Sequence, residues 1–389
     1  MKFETLAIRL QNLATHEREH STPLFPTSSF TFEDAEQMRA TFADEQSGNI
    51  YSRFTNPNTR ELELKMAALE GADDAVATAS GMAAIFYSFM SLLESGDHII
   101  SSRSVFGSTS TIFNQYLPKF GIQVTLVDPT DPSSWEQAIR PSSKMFFFET
   151  PSNPGLDIVD LQAARTFCDE HGLIMNVDNC FATPYLQQPS DWGADLITHS
   201  ATKYIDGQGR VVGGIVAGKN SYITDIRKMC RSTGPALSPF NAWILSKSLE
   251  TLAVRMDRHC SNAEKLTDVL LMHSHVKNVR YPFDSNHPSV EIAKRQMTQG
   301  GGLVTFEVKG GLDQGRKFLD ALLMLSLTAN LGDTRSIATH PASTTHAKLT
   351  QQERTDAGIS DGLIRISAGL EHIDDIIADI HQALVASAS

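Results

Sequence analysis

Several things are scarce in this chain of 389 residues. Cysteine occurs four times, at Cys168, Cys180, Cys230 and Cys260. The four are scattered and form no Cys-x-x-Cys pair, which excludes a disulfide framework and a zinc knuckle. Runs of Lys and Arg are absent, and 33 basic against 45 acidic residues leave a net charge of −12. Because affinity for phosphate backbones comes from clustered cations, a nucleic-acid surface is excluded, and an anionic ligand must be met locally. Long apolar runs are missing too. The longest, Met82 to Leu93, is about half of the ~20 residues needed to span a bilayer. The start Met-Lys-Phe-Glu-Thr lacks a signal-peptide apolar region, so the expected location is the cytosol, with no membrane partner. What remains is an ordinary globular composition, 41% hydrophobic and 20% charged, with no internal repeat and enough length for two or three domains.

Residues 1–54 are polar, with an early helical spacing at Leu6, Leu10 and Leu13 and then the extended run Ser-Thr-Pro-Leu-Phe-Pro-Thr-Ser-Ser-Phe at 21–30. They read as an arm. Over 55–240, short apolar runs at Ala75–Thr78, His98–Ser101, Gln123–Val127, Met145–Phe148, Leu173–Val177 and Leu196–Thr198 are predicted strands separated by helix-length amphipathic segments. Continuous rather than alternating hydrophobicity implies an α/β fold whose mostly parallel sheet is covered on both faces. Catalytic groups then belong at the C-terminal strand ends. Residues 241–389 read as a smaller α+β domain, with a long helical stretch over about 240–272, strands at Leu303–Val308 and Leu363–Ser367, and a terminal helix over 372–386.

His16-Glu17-Arg18-Glu19-His20 satisfies His-Glu-x-x-His, the helical zinc-protease pattern. The metal reading is set aside: such a helix must continue and be buried, whereas Ser21-Thr22-Pro23 follows at once, and no metal is expected. Gly207-Gln-Gly209-Arg-Val-Val-Gly213 resembles a dinucleotide loop, but its third glycine is one place late and a β-type run follows it, so a tight turn before a strand is the better reading. Ala79-Ser80-Gly81-Met82 is better placed. It joins a predicted strand to an apolar helix, and a helix start offers free N–H groups and a positive dipole end to an anion.

The decisive pair is Asp178 and Lys203. Each follows a predicted strand, so both can point into one crevice. Charged groups there are costly unless paired or used. A salt bridge between neighbouring strands is the plain alternative; without the carboxylate and the anion loop, the lysine would suit a cofactor-free Schiff-base lyase. Together, a lysine able to form a Schiff base and a carboxylate able to hold a protonated pyridine nitrogen are what pyridoxal 5′-phosphate (PLP) demands, with Ser200 and Thr202 as hydroxyl ligands for its phosphate.

Seven segments then carry a resemblance: Tyr51-Ser-Arg53-Phe-Thr-Asn-Pro, Ser80-Gly81-Met82, Glu149-Thr-Pro-Ser-Asn153-Pro, Val177-Asp178-Asn-Cys-Phe-Ala-Thr-Pro, Ser200-Ala-Thr202-Lys203-Tyr, His340-Pro-Ala-Ser and Arg365-Ile-Ser-Ala-Gly-Leu-Glu. In these the chain resembles, nearly end to end, the Cys/Met-metabolism PLP enzymes, which include cystathionine γ-synthases and lyases, methionine γ-lyases and homoserine-ester sulfhydrylases. The resemblance implies an aspartate aminotransferase-like large domain, with Lys203 as the Schiff-base lysine and Asp178 as the pyridinium partner. It implies that Gly81, Met82, Ser200 and Thr202 hold the phosphate, that Asn153 contacts the ring oxygen, and that Arg365 grips the substrate α-carboxylate. It also implies that Tyr51 and Arg53 serve the neighbouring subunit's cofactor, in a tetramer built from dimers.

Three departures narrow the reading. The aromatic expected to stack on the cofactor ring is usually Tyr and is here Phe106, so stacking survives and the phenol does not. Ser108 stands where the family's lyases carry a reactive Cys, and Asn330 stands where Ser is expected before Leu-Gly, beside the substrate. With Asp206-Gly-Gln-Gly-Arg210 and Ala329-Asn330-Leu-Gly-Asp-Thr-Arg335, the resemblance is greatest to the O-succinylhomoserine sulfhydrylase branch. It implies a transferase that makes homocysteine from an O-acylhomoserine and sulfide in methionine biosynthesis. Cystathionine γ-synthase (cysteine as nucleophile), O-acetylhomoserine sulfhydrylase and methionine γ-lyase are the alternatives.

Overall fold

The structure is a computed structural model and describes residues 1–345, 347–348, 350–356 and 358–388. Seven strands, β1 Asp74–Thr78, β2 His98–Ser102, β3 Gln123–Val127, β4 Ser143–Glu149, β5 Ile174–Asp178, β6 Leu196–Ser200 and β7 Gly214–Gly218, form one sheet in the order β1-β7-β6-β5-β4-β2-β3. β2 to β6 run parallel to one another. The continuous apolar strands follow from burial on both faces. Met145 and Phe147 of β4 enter one cluster with Phe89 and Phe113, while Phe146 and Phe148 enter the opposite cluster with Trp135 and Phe167. Each of these phenylalanines is fully buried, a contribution of roughly 1.5–3 kcal/mol apiece.

β7 departs from the parallel pattern and runs antiparallel to both β1 and β6. The reason lies in the glycine segment: Gly207 and Gly209 take φ +68° and +66°, and the chain returns without a crossover helix, which a parallel strand requires. The segment is thus a turn before a strand, as its sequence suggests.

A second sheet holds β8 Val276–Arg280, β9 Leu303–Val308, β10 Ser326–Leu327, β11 Ile337–Thr339 and β12 Leu363–Ser367, in the order β10-β11-β12-β9-β8. It is antiparallel except for the β10–β11 pair. The C-terminal helix Ile373–Ser387 packs on it through Ile376, Ile380, Ala383 and Leu384. The helical stretch over 240–272 is two helices, Pro239–Leu249 and Leu252–Leu271, parted at Glu250–Thr251. The longer one joins two cores: Leu252 and Met256 pack with the first sheet's apolar cluster, Leu266 and Leu270 with the second's.

The arm differs from the spacing of its leucines. Its first helix is Phe3–Arg9 only, and Leu13 is 96% exposed. His16 and Glu17 lie in a turn, with Arg18 at φ +59°, so the helix that a His-Glu-x-x-His site needs is not formed. Among the described residues, no helix is long and apolar enough to cross a membrane.

Candidate active site

Lys203 follows β6 in a tight turn, its N–H donating to the Ser200 carbonyl at 3.2 Å and its carbonyl accepting from Gly207 at 2.8 Å. A second close approach fixes this turn: Gly332, at φ +74°, has no room for a side chain, since a Cβ would lie 2.7 Å from the Tyr204 nitrogen. The Lys203 ammonium is half-buried and donates to Asn330 Oδ1 at 2.6 Å. Burial, reinforced by the Arg365 cation, holds its pKa below the ordinary lysine value, although Cys180 acts in the opposite direction.

Asp178 is the last residue of β5 and stands in register with Glu149, the last of β4. Burial raises the Asp178 pKa from 3.8 to about 6, against the opposing pull of His199 and of the Cys180 N–H that donates to it at 3.0 Å. His199 and Glu70, both fully enclosed, meet at 2.5 Å, and Asn179 donates to the same Glu70 oxygen at 3.0 Å. His199, held in this pair, favours the ionised form of Asp178.

An anion cradle lies beside the lysine. The helix Gly81–Met90 opens on Gly81, with Ser80 as its N-cap accepting from the Ala83 N–H at 3.1 Å. A Cβ at Gly81 would sit 2.6 Å from Ser200 Cβ and 2.7 Å from Ser200 Cα. Glycine therefore lets the helix start rest on the end of β6, and the first-turn N–H groups, which have no intrahelical acceptor, open next to Ser200. Thr202 Oγ1 bridges back to Gly213, accepting from its N–H at 3.2 Å.

The far wall comes from the second sheet. Arg365 on β12 is 5% exposed and donates to Asn153 Oδ1 at 2.8 Å, the Asn330 carbonyl at 3.1 Å and Thr339 Oγ1 at 3.2 Å. Its Nε has no acceptor, and among the described residues no carboxylate lies within ion-pair distance of Arg365 or of Lys203. Burial pushes the guanidinium down to about 10. Two buried cations without a carboxylate, a carboxyl ending β5 and a helix start fit an anionic cofactor with a cationic ring nitrogen, as PLP has, and a carboxylate substrate.

Phe106 stands on the loop after β2, its ring 46% exposed and its N–H donating to Glu149 Oε1 at 2.6 Å. Tyr51 and Arg53 are not brought to this cluster. Tyr51 bridges to Ser29, and Arg53 lies 4.5 Å over the Phe54 ring and donates to the Arg231 carbonyl. Lys203, Asp178, Gly81, Met82, Ser200, Thr202, Asn153, Asn330 and Arg365 are otherwise gathered at the strand ends and the facing sheet.

The sequence reading gave no role to Glu149, Thr339, Glu70 or His199. For Glu149 a signal existed: an acid ends the continuous apolar run Met145–Phe148. Thr339 is set beside Arg365 only by strand pairing, and Glu70 lies 129 residues from His199, so spacing could not find either.

Comparison with known proteins places this geometry. A family model described as Cys/Met metabolism PLP-dependent enzyme matches residues 4–385. O-succinylhomoserine sulfhydrylase of Pseudomonas aeruginosa is 49% identical over 99% of this chain and 95% of its own length. L-methionine gamma-lyase of Pseudomonas putida is 42% identical over 94% of this chain and 92% of its own. Among solved structures, an O-acetylhomoserine (thiol)-lyase from Campylobacter jejuni, carrying N′-pyridoxyl-lysine-5′-monophosphate, superposes with a TM-score of 0.95 at 36% identity, over 99% of this chain and 100% of that one.

Proposed function

The chain belongs to the Cys/Met metabolism PLP-dependent enzymes, and within that family we propose that it catalyses γ-replacement on an O-acylhomoserine. O-succinylhomoserine loses succinate from Cγ and sulfide takes its place, giving homocysteine for methionine biosynthesis in the cytosol. The observation that carries this reading is the 49% identity to the Pseudomonas aeruginosa sulfhydrylase along nearly the whole chain. Phe106 and Ser108 support it, because they replace the phenol and the thiol associated with the family's lyases.

When bound, PLP supplies an electron sink for the pair left on the substrate Cα as its proton departs. The rest falls to the chain's own groups. Lys203 would hold the cofactor through its aldehyde carbon and, as a free amine, would stand as the base for the substrate Cα proton. Its lowered pKa keeps a larger neutral fraction near neutral pH than an exposed lysine has. Lys203 would have to hand on the Cα proton before taking one from Cβ; succinate then leaves Cγ with its bonding pair, hydrosulfide adds there, and protons return to Cβ and Cα through the same amine, while Phe106, lacking a hydroxyl, supplies no phenol to share this traffic. Asn330 holds the released amine where it is seen now. Arg365 takes the substrate α-carboxylate through its planar fork. Asp178 keeps the ring nitrogen cationic, Asn153 meets the ring oxygen, and Gly81 and Met82 N–H groups with Ser200 and Thr202 receive the phosphate. Tyr51 and Arg53 complete the cradle of a neighbouring subunit, which makes a dimer the smallest working unit and a tetramer of two such dimers the expected assembly.

The test is an assay of purified protein with O-succinyl- or O-acetylhomoserine, each offered sulfide or cysteine, and with L-methionine alone. Homocysteine formed fastest from the succinyl ester and sulfide is the expected result. Preferential formation of cystathionine would replace the nucleophile, and faster release of 2-oxobutyrate from methionine, the reading favoured by the 42% identity to methionine γ-lyase, would overturn the proposal.

A further inference from the structure

Glu149 is the buried titratable group at the site that the mechanism above leaves without a task. It is 2% exposed. Its Oε1 accepts from the Phe106 N–H at 2.6 Å, its Oε2 has no hydrogen-bond partner, and no cation lies within ion-pair distance among the described residues. The titratable groups facing it are Asp178, its register partner on β5, and Cys180 just beyond. Packing alone does not call for an acid here, since Met145 to Phe148 fill the same strand with apolar side chains. Phe106 is 46% exposed, so side-chain packing holds it only in part; its main chain is held by two bonds, its N–H donating to Glu149 and its carbonyl accepting from the Ser110 N–H at 3.0 Å.

We infer that Glu149 is a positioning residue that sets Phe106 over the cofactor ring and, as the neutral member of the strand-end pair, leaves the negative charge to Asp178. The inference rests on reading Asp178 and Phe106 as cofactor contacts. Two ionised carboxyls side by side and out of water would repel, so one of them holds a proton. Burial raises both and each accepts one backbone N–H, that of Cys180 on Asp178 and that of Phe106 on Glu149; the difference is that His199 favours the charged form of Asp178, whereas Asp178 pushes Glu149 up.

The variants E149Q, E149A and E149M are compared with wild type as holoenzymes. Bound PLP per chain, PLP dissociation constant, visible absorbance and the induced circular dichroism of the cofactor are measured. Gln keeps a neutral side chain with an acceptor for the Phe106 N–H; Ala and the similarly sized Met remove the acceptor. E149Q is expected within about twofold of wild type, and E149A and E149M about tenfold weaker in PLP binding, with a diminished dichroic band, as loss of one buried hydrogen bond implies. Wild-type affinity and dichroism in E149A or E149M would overturn the positioning role. E149Q as impaired as E149A would overturn the neutral assignment, and this arm decides even where the smaller variants fail to fold. A wild type without any cofactor band sinks the underlying reading of Asp178 and Phe106. A normal wild type with an unaltered E149A sinks the Glu149 inference alone.

Discussion

Two buried lysines hold opposite places in this molecule. Lys65, inside the helix Pro57–Glu70, has no exposed surface, and its Nζ lies 3.5 Å from Glu61, 3.6 Å from Glu250 and 3.4 Å from the Ser246 carbonyl. Glu61 in turn accepts from the Asn12 N–H at 2.8 Å, Thr22 Oγ1 at 2.5 Å and Ser246 Oγ at 2.8 Å. That seam ties the arm to two helices with its charges balanced inside the chain. Among the described residues, the Lys203 ammonium donates to the neutral amide of Asn330 and pairs with no carboxylate, and its charged neighbour Arg365 is another cation. Burial lowers the pKa of both lysines, but carboxylates pull Lys65 back. Lys65 is satisfied by the chain's own carboxylates, whereas Lys203 is left open to an anionic or carbonyl ligand.

The sharpest way to break this contrast is to exchange the losses. Lys203→Ala should abolish the visible cofactor band and lower turnover by at least about 10³-fold, with little change in the unfolding of the cofactor-free protein. Lys65→Ala should do the reverse, costing about 3 kcal/mol in denaturant unfolding because the buried Glu61 loses its cation while the half-buried Glu250 keeps Lys247 at 2.8 Å, and the cofactor band per folded chain persists. A Lys65→Ala protein of normal stability but without cofactor would dissolve the distinction.

Next in size is Arg365→Lys. The charge stays but the fork is lost, and kcat/KM for the ester should fall roughly 10- to 100-fold, carried mostly by KM. Steady-state kinetics over a range of ester concentrations decide it, and an unchanged KM would remove the α-carboxylate from Arg365.

Asp178 offers a test by pH. Its folded pKa of about 6 lies above the ordinary 3.8, so the folded chain binds this proton more tightly than the unfolded one. The ionised group therefore costs stability fully above about pH 6, and the cost fades as pH falls through that value toward 4. Cofactor-free Asp178→Asn should be more stable than cofactor-free wild type at pH 7 by up to about 3 kcal/mol, equal to it near pH 4, and poorer in binding PLP. Equal stability at pH 7 would show that the site carries no such strain.

The smallest effect is expected at Phe106. Phe106→Tyr restores a phenol and should raise 2-oxobutyrate relative to homocysteine without preventing cofactor binding. An unchanged product ratio would sink this account of the departure.

Much of the site was legible because parallel strands bury both faces, so an ionisable residue closing an apolar run stands out. Asp178 follows from that rule, Lys203 from its place in the turn just after the next strand, and Gly81 from the strand-to-helix junction. The phosphate-side residues needed the motif resemblance as well. Glu70 and His199 remained hidden because their partnership joins a helix end to a strand 129 residues away. The β-type run after Gly213 was visible, but its antiparallel place between β1 and β6 was not, since sequence carries no register for strands brought together by a glycine turn. Leu13 misled for the complementary reason: helical spacing without a surface to cover does not hold a helix, and the arm leaves that side chain 96% exposed.

By itself the sequence determined the first six strands along the chain, two of the second sheet's strands, and the family, because local periodicity and contiguous motifs survive without three-dimensional context. Only the tertiary structure decided which charges are balanced. It set Glu61 and Glu250 against Lys65, placed no carboxylate of the described residues within ion-pair distance of Lys203 or Arg365, and brought Glu149 beside Asp178. Ion pairing depends on a few ångströms between residues far apart in sequence, and that distance exists only once the sheet and its facing domain have closed on each other.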